Sequence, residues 1–338
     1  MNDIRDYLPW LQSNRKNSNH NSNYWHFKHT ICNQPTNLDK INNSLTTGKY
    51  QFEPATVIYS KINREYLTIW SAKDSLVLKT IAESLKSKNG HIFSKDCVSN
   101  KNNGGSKQAF DIINKHIKTH KYIYRTDIKK FYNSINHKIL LDKLKNFTSK
   151  QEYQLIQSHL DRIEWQDGEY YEVKQGISKS SPLSPVLGCI YLHELDVAMA
   201  KLDIIYKRFV DDFIIMAKTK HKLRKAVKIV KQILCKLKLV EHPDKTDYRN
   251  FNNQNAKSFD FLGVKISHKG VIAIKDRTKN NFVIKINQLY EYLRLILKFK
   301  NIVRVDTDLE IRILEVIIKQ IKYFNNYYKF ISKYFVYA

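Results

Sequence analysis

Apolar and polar residues alternate along "YIYRTD", residues 122 to 127, so that Tyr122, Tyr124 and Thr126 fall on one side and Ile123, Arg125 and Asp127 on the other. That period of two predicts a strand ending at Asp127. Two further apolar runs of strand length, "IIYKRFV" and "FIIMAK", flank Asp211 and Asp212 and predict a hairpin with both acids at its tip. Elsewhere the spacing is helical. Leu76, Val77, Ile81 and Leu85 recur near 3.6 residues within "DSLVLKTIAESL", and "QAFDIINKHI" follows the break at "NNGGSK". Ser184 and Pro185 open a helix with Leu187, Ile190, Tyr191, Ala198 and Met199 on one face. Two last helical patterns, "RTKNNFVIKINQLYEYLRLILKFK" and "LEVIIKQIKYFNNYYKFISKYF", are dense in lysine and tyrosine. The segment "SNRKNSNHNSN", 13 to 23, has no period and is predicted to be a flexible linker, and from Trp25 to about His120 short strands mix with helices. No internal repeat is visible.

Composition adds a partner to this pattern. The 338 residues are 42% hydrophobic, enough for a real core and for two or three subdomains. Against 32 Asp and Glu stand 58 Lys and Arg, a formal charge of +26, which calls for a polyanion. The cations are spread along the chain, no apolar run approaches the ~18 residues of a membrane span, and the N-terminus lacks a signal pattern, so nucleic acid is favoured over membrane. Cys32, Cys97, Cys189 and Cys235 form no CxxC pair, which fits a reducing cytosol. His116 and His120 stand at helical spacing but have no third ligand nearby.

Adjacent aspartates raise the question of what holds them. Like charges about 4 Å apart repel by roughly 4 kcal/mol at an effective dielectric near 20, so a cation or water must offset them. A lone Asp-Asp pair is more often a solvated turn. With Asp127 on a neighbouring strand, however, three carboxylates suit nucleotidyl transfer, in which two divalent cations stabilise the attacking oxygen and the leaving pyrophosphate. Asp211 and Asp127 are expected to share the metal pair while Asp212 supports them from the turn.

Five segments in order then resemble the palm motifs of reverse transcriptases: "DIKKFYNSI", "SSPLSPVLGCIYLHELD", "RFVDDF", "HPDKT" and "FDFLG". With "WSAKDSLVLK" and "GGSK", they resemble stand-alone bacterial enzymes related to group II intron and retron reverse transcriptases, many of them implicated in antiphage defence with a noncoding RNA. The resemblance covers roughly residues 50 to 338. It implies an α+β right-hand polymerase of fingers, palm with an antiparallel sheet, and helical thumb. The expected divisions are an N-terminal extension with its polar linker at 1–50, fingers at 51–120, palm at 121–270 with a fingers insertion at about 138–175, and thumb at 271–338. No appended endonuclease or RNase H domain is expected.

Site roles carry over on the same resemblance. Asp127, Asp211 and the carbonyl of Ile128 would coordinate two Mg²⁺ ions, with Asp212 beside them, and Lys245 would stand near the leaving pyrophosphate. Lys73 would grip the triphosphate. Tyr132 would crowd a ribose 2′-hydroxyl, Phe209 would place a ring against the primer end, and Phe261, Leu262 and Gly263 would form the primer grip.

The second motif has two registers. Gln175-Gly176 in "KQGISKSSPLSP" imitates the glutamine-glycine pair of most relatives, whereas counting back six from Pro185 assigns those positions to Lys179 and Ser180. The second register is preferred because Pro185 anchors the helix, and it puts a charge and a larger residue beside the nascent pair.

The implied activity is RNA-templated DNA synthesis in the cytoplasm from deoxynucleotides on a structured noncoding RNA, with a protein partner or a second copy as further partners. The competing readings are a catalytically silent RNA-binding scaffold, an intron-like mobile-element enzyme and an RNA polymerase of the same fold. Replacing Tyr132 with alanine is expected to raise ribonucleotide use relative to deoxynucleotide use in a competition assay with matched nucleotide pairs. An unchanged ratio would leave Tyr132 a core residue.

Overall fold

The computed structural model describes residues 2–15, 21–60, 65–100, 103–302, 318 and 321. The chain opens with helices α1 (Leu8–Arg15), α2 (Asn21–His26) and α3 (Pro35–Thr46), then strands β1 (Ala55–Ser60) and β2 (Glu65–Ile69) and helices α4 (Ala72–Lys88) and α5 (Gly105–His116). Strand β3 (Tyr122–Asp127) leads into α6 (Phe131–Ser134), α7 (His137–Leu144), α8 (Lys150–Leu160), β4 (Ile163–Gln166), β5 (Glu169–Glu172) and α9 (Ser184–Ala200). The hairpin β6 (Ile205–Phe209) and β7 (Asp212–Ala217) precedes α10 (Lys220–Lys236), β8 (Asp247–Asn250), β9 (Phe259–Phe261), β10 (Val264–Ser267), β11 (Gly270–Ile274) and α11 (Asp276–Ile302). The second C-terminal helical pattern of the sequence lies outside the described residues apart from positions 318 and 321. No helix among the described residues is long and apolar enough to cross a membrane.

Two compact units share the chain, each discontinuous in sequence. The first comprises 1–97, 126–202 and 225–246, the second 98–125, 203–224 and 247–338. In the first unit a four-stranded sheet runs β2-β1-β4-β5. Its β4–β5 hairpin joins β1 in parallel through Ala55↔Glu164 and Thr56↔Trp165, a pairing between segments about a hundred residues apart. Helix α4 starts where the Ser71 hydroxyl accepts from the Asp74 amide at 3.0 Å and ends with Lys86 and Lys88 in its last turn, as the helix dipole favours. Helix α9 has Pro185 in its first turn and buries Val186, Leu187, Ile190, Tyr191, Leu192, Leu195 and Met199, apolar nearly all round as a core helix should be.

The expected linker is not one at its ends. Ser13–Arg15 complete α1, and Asn21–Asn23 begin α2. The Arg15 guanidinium donates to the Trp70 carbonyl (2.7 Å) and the Ser75 hydroxyl (2.8 Å), and the Asn23 side chain accepts from the Ala72 amide at 2.6 Å. These polar groups cap and tie the start of α4. A composition rule cannot see such long-range bonds.

The sheet of β6-β7-β3-β8 carries the candidate acids. The expected strand at 122–127 forms, and the hairpin expected of the runs 204–210 and 213–218 forms as β6 and β7. One face of this sheet, through Ile123, Ile214 and Met216, joins a core with Phe110 and Ile113 of α5 and Phe259, Phe261, Val264 and Ile266 of the sheet β11-β10-β9.

Gly176 adopts φ +83°, and a Cβ there would stand 2.8 Å from the Asn133 carbonyl oxygen and 2.9 Å from its Cα. Its amide donates to Ile135 O, and its carbonyl accepts from His137 Nε2 at 2.8 Å. Gly176→Ala is therefore expected to destabilise by about 2 to 3 kcal/mol, lowering Tm by roughly 4 to 10 °C in a calorimetric scan. An unchanged Tm would show that the backbones at 133 and 176 do not pack this way.

Candidate active site

Strand β3 sits between β7 and β8 and ends at Asp127, while β7 begins at Asp212. The register Phe209↔Asp212 leaves Val210 and Asp211 as a two-residue turn. Only Asp211 is thus in the turn; Asp212 is already strand. The expectation that Asp212 supports from the turn is corrected accordingly. Its carboxylate is held by Arg125 of β3, with Nε at 3.0 Å and a terminal nitrogen at 2.9 Å, on side chains only 9% and 14% exposed. Alternation along β3 assigns Arg125 and Asp127 to the same strand face.

The turn is strained. Val210 has φ +58°, a left-handed conformation that costs a β-branched residue of order 1 to 3 kcal/mol. Its amide donates to the Ser99 hydroxyl (3.2 Å), and its carbonyl accepts from the Arg208 guanidinium at 2.7 Å. Arg208 is 1% exposed, and its own carbonyl accepts from the Val98 amide at 2.8 Å. A buried guanidinium and the 98–99 segment therefore fix the backbone just before Asp211.

Asp127 is held by a second ladder. The His242 amide donates to Asp127 O (2.7 Å), the Lys129 amide donates to Val240 O (2.9 Å), and Ile128 bridges Glu241 between them. In an antiparallel bridge bounded this way the opposed residues exchange no hydrogen bond, so the Ile128 carbonyl is turned to the other side. This orientation fits the donor role expected of it. The Thr126 and Thr246 hydroxyls meet at 2.7 Å, and Lys245 Nζ donates to an Asp127 carboxylate oxygen at 2.9 Å. Lys245 thus pairs with the first candidate metal ligand and can neutralise its charge.

Tyr132 lies in α6 with its ring 5.3 Å from that of Phe131, and its carbonyl accepts from the Ile177 amide at 2.8 Å. A Cβ on Gly188 of α9 would meet Phe131 at 3.1 Å and Tyr132 at 3.5 Å, so this mid-helix glycine makes room for both rings. Of the two registers, Gln175 donates to Ser134 O at 3.2 Å. Lys179 donates to Glu65 at 2.6 Å, and the Ser180 hydroxyl donates to the Thr68 carbonyl, tying the preferred pair to β2. Lys73 donates to Glu53 at 2.5 Å and stands 5.9 Å over the Tyr50 ring. Beside it, burial pushes the Asp74 carboxyl up to about 6, although the Tyr50 hydroxyl donates to it at 2.7 Å.

Phe209 is partly buried against the second unit's core. Phe261 is completely buried there, which corrects its expected contact with a primer: the ring is core. The turn that follows, Leu262 (φ +48°) and Gly263 (φ +84°), is the two-residue hairpin type with both φ positive and is left as the accessible part of that motif. Arg125, Arg208 and Gly188 were not singled out from sequence. The signals were a cation two before Asp127, a cation three before Asp211 and a glycine inside a helical period.

Among the described residues no three of His, Cys, Asp and Glu gather into a metal cluster. That is compatible with a hard divalent cation such as Mg²⁺, which is usually held by one or two carboxylates together with substrate phosphates. Asp127, Asp211 and the Ile128 carbonyl are oxygen donors of the right kind.

Residues 64–266 match the family model described as reverse transcriptase (RNA-dependent DNA polymerase). The chain belongs to the reverse transcriptase family. It is 25% identical over 171 residues to the putative COX1/OXI3 intron 1 protein of Saccharomyces cerevisiae, covering 47% of this chain and 20% of that one. Its structure is similar to telomerase from Candida albicans in complex with a fragment of telomeric RNA, with a TM-score of 0.55 and 14% identity over 68% of this chain and 46% of that chain. Apo telomerase from Candida tropicalis gives 0.53 and 15% over 67% and 49%. The reverse transcriptase thus spans a fifth of the curated relative and just under half of those structures. The likenesses show a shared α+β right-hand fold.

In this reverse transcriptase, Val210→Gly relieves the left-handed strain but frees the turn that carries Asp211. Thermal unfolding is expected to show a gain of up to about 1 kcal/mol, while primer extension falls by tenfold or more. A loss of stability would mean that Val210 packing outweighs its backbone strain.

Proposed function

We propose that the protein is an active RNA-directed DNA polymerase in which Asp127, Asp211 and the Ile128 carbonyl bind two divalent cations, Mg²⁺ by the chemistry of the donors. The observation that carries this reading is the Val210–Asp211 turn, because a fold keeps a left-handed valine only where the geometry it gives the next side chain is used. The cations would supply charge stabilisation for the attacking 3′-oxygen and the leaving pyrophosphate. The chain's own residues orient and neutralise. Arg125 anchors Asp212 at the strand start, and Lys245, paired with Asp127, is placed to exchange that carboxylate for a phosphate oxygen when a nucleotide arrives. Tyr132, held against Gly188, is the proposed barrier to a 2′-hydroxyl. Lys73 is the proposed triphosphate grip, and Leu262–Gly263 the proposed rest for the primer end. Lys179 and Ser180 are proposed to limit template or nucleotide choice through their bonds to β2.

The template we infer is a structured noncoding RNA, and the proposed setting is antiphage defence in a bacterial cytoplasm, supported by the resemblance of the seven quoted motifs to stand-alone enzymes of that kind. The similarity to a yeast intron protein favours a second reading, a mobile-element enzyme. Sequencing the RNA and DNA that copurify with the protein separates the two. Asp211→Asn is expected to abolish incorporation, by a thousandfold or more, with Tm and RNA affinity nearly unchanged, because a ligand charge is lost at constant shape. Incorporation within a few-fold of wild type would remove the two-metal assignment and leave an RNA-binding scaffold.

A further inference from the structure

Helix α10, "KHKLRKAVKIVKQILCK", contains seven Lys or Arg, one His and no Asp or Glu. Its apolar stripe is spent inside the protein: Leu223, Ala226, Val227, Val230, Ile233 and Leu234 are all buried. The opposite face exposes Lys220, His221, Arg224, Lys225, Lys228 and Lys231, with Lys218 just before the helix. Two lysines have acidic partners, Lys222 on Asp203 and Lys236 on Glu194 at 2.8 Å. Among the described residues Lys220, Arg224, Lys225, Lys228 and Lys231 pair with no carboxylate.

This arrangement opposes its own electrostatics twice. Lys220, Arg224, Lys228 and Lys231 follow one another by four, four and three positions, so like charges are neighbours along a line of about 16 Å at ~1.5 Å per residue. The first turn holds cations and no acid, although the positive end of the helix dipole lies there. A surface helix normally intersperses both signs. A row of unneutralised cations is matched by a row of phosphates, which removes both repulsions on contact. The exposed face also lacks any large apolar side chain, and a helix lying in a lipid surface needs one to insert. Charge and shape therefore favour a nucleic-acid backbone over an anionic bilayer.

The face begins away from the reacting groups. Strand β7 runs six residues from Asp212 to Ala217, about 20 Å at ~3.4 Å per residue, and α10 begins three residues beyond that far end. We propose that the solvent face of α10 is a second RNA-binding surface, docking a double-helical part of a folded RNA by its phosphates, outside the catalytic site. The proposal builds on the RNA-directed reading above by adding where a structured RNA is held, and it is read by binding instead of synthesis.

The experiment compares wild type with the triple variant Arg224→Glu, Lys228→Glu, Lys231→Glu and with the same three sites changed to Gln. Each protein is titrated with a fully paired RNA hairpin over a range of salt, assayed for extension of a short preannealed RNA template and DNA primer, and titrated with phosphatidylserine vesicles. The charge reversal is expected to weaken hairpin binding at least tenfold and to flatten the slope of log affinity against log salt by about 2 to 3, roughly one unit per lost phosphate contact. The Gln variant is expected to give a smaller loss of the same sign, and extension is expected to stay within twofold at an unchanged Tm. Hairpin affinity equal to wild type overturns the proposal, as does extension falling in step with binding at an unchanged Tm. Vesicle affinity that drops while hairpin affinity holds overturns it in favour of a membrane surface. If wild type extends no primer, the polymerase reading fails, yet the hairpin titration still decides the α10 surface.

Discussion

Electrostatic repulsion between neighbouring carboxylates is the constraint around which the acid-bearing sheet is organised. Carboxylates packed this closely need their charge offset, and for two of the three candidate acids side-chain cations do this. Asp212 takes a bidentate guanidinium from Arg125, the pairing geometry in which charge-assisted hydrogen bonds are strongest. Asp127 takes the ammonium of Lys245, whose side chain is 47% exposed and so within reach of solvent or a ligand. One carboxylate is thereby locked into structure and the other is held reversibly, a division of labour set by burial and by the choice of arginine in one place and lysine in the other.

Backbone strain is contained by the same means. Val210 persists in a left-handed conformation because its amide and carbonyl both have partners, the Ser99 hydroxyl and the Arg208 guanidinium. Burying Arg208 almost completely costs desolvation, which hydrogen bonds to carbonyls offset only where geometry is fixed. The ladder from Asp127 to Lys129 along Val240 to His242 does the corresponding task at the strand end, where it also decides which way the Ile128 carbonyl points.

Close backbone approach explains the glycines near Tyr132. Gly188 sacrifices helix propensity, about 1 kcal/mol relative to alanine, so that the Phe131 and Tyr132 rings can rest on α9. Gly176 admits the backbone of Asn133 and passes its carbonyl to His137, so the Gln-Gly pair has a structural task whichever register is used. A buried histidine nearby, His159, has no hydrogen-bond partner for either ring nitrogen among the described residues and packs against Trp70 and Phe52. Burial and the neighbouring Arg162 hold its pKa well below the usual range, so it stays neutral in that aromatic surround.

The strand at Tyr122–Asp127, the hairpin around Asp211 and the helix opened by Pro185 were legible in the sequence because local period and turn chemistry specify them. The charge excess of +26 was legible as well, and the ordered motifs named the family. Which acid occupies the turn was not legible: a shift of one residue in hairpin register exchanges Asp211 for Asp212, and only the pairing Phe209↔Asp212 with the Arg125 contact sets it. The linker expected at 13–23 turned out to have helical, bonded ends because Arg15 and Asn23 find partners some fifty residues away. Phe261 read as a ligand contact from its motif and is core because α5 and the neighbouring strands close over it. Local sequence determines element type through backbone sterics and hydrophobic period. Partner choice for charges, and which aromatic faces are covered, depend on residues distant in the chain, and only the tertiary structure brings those together.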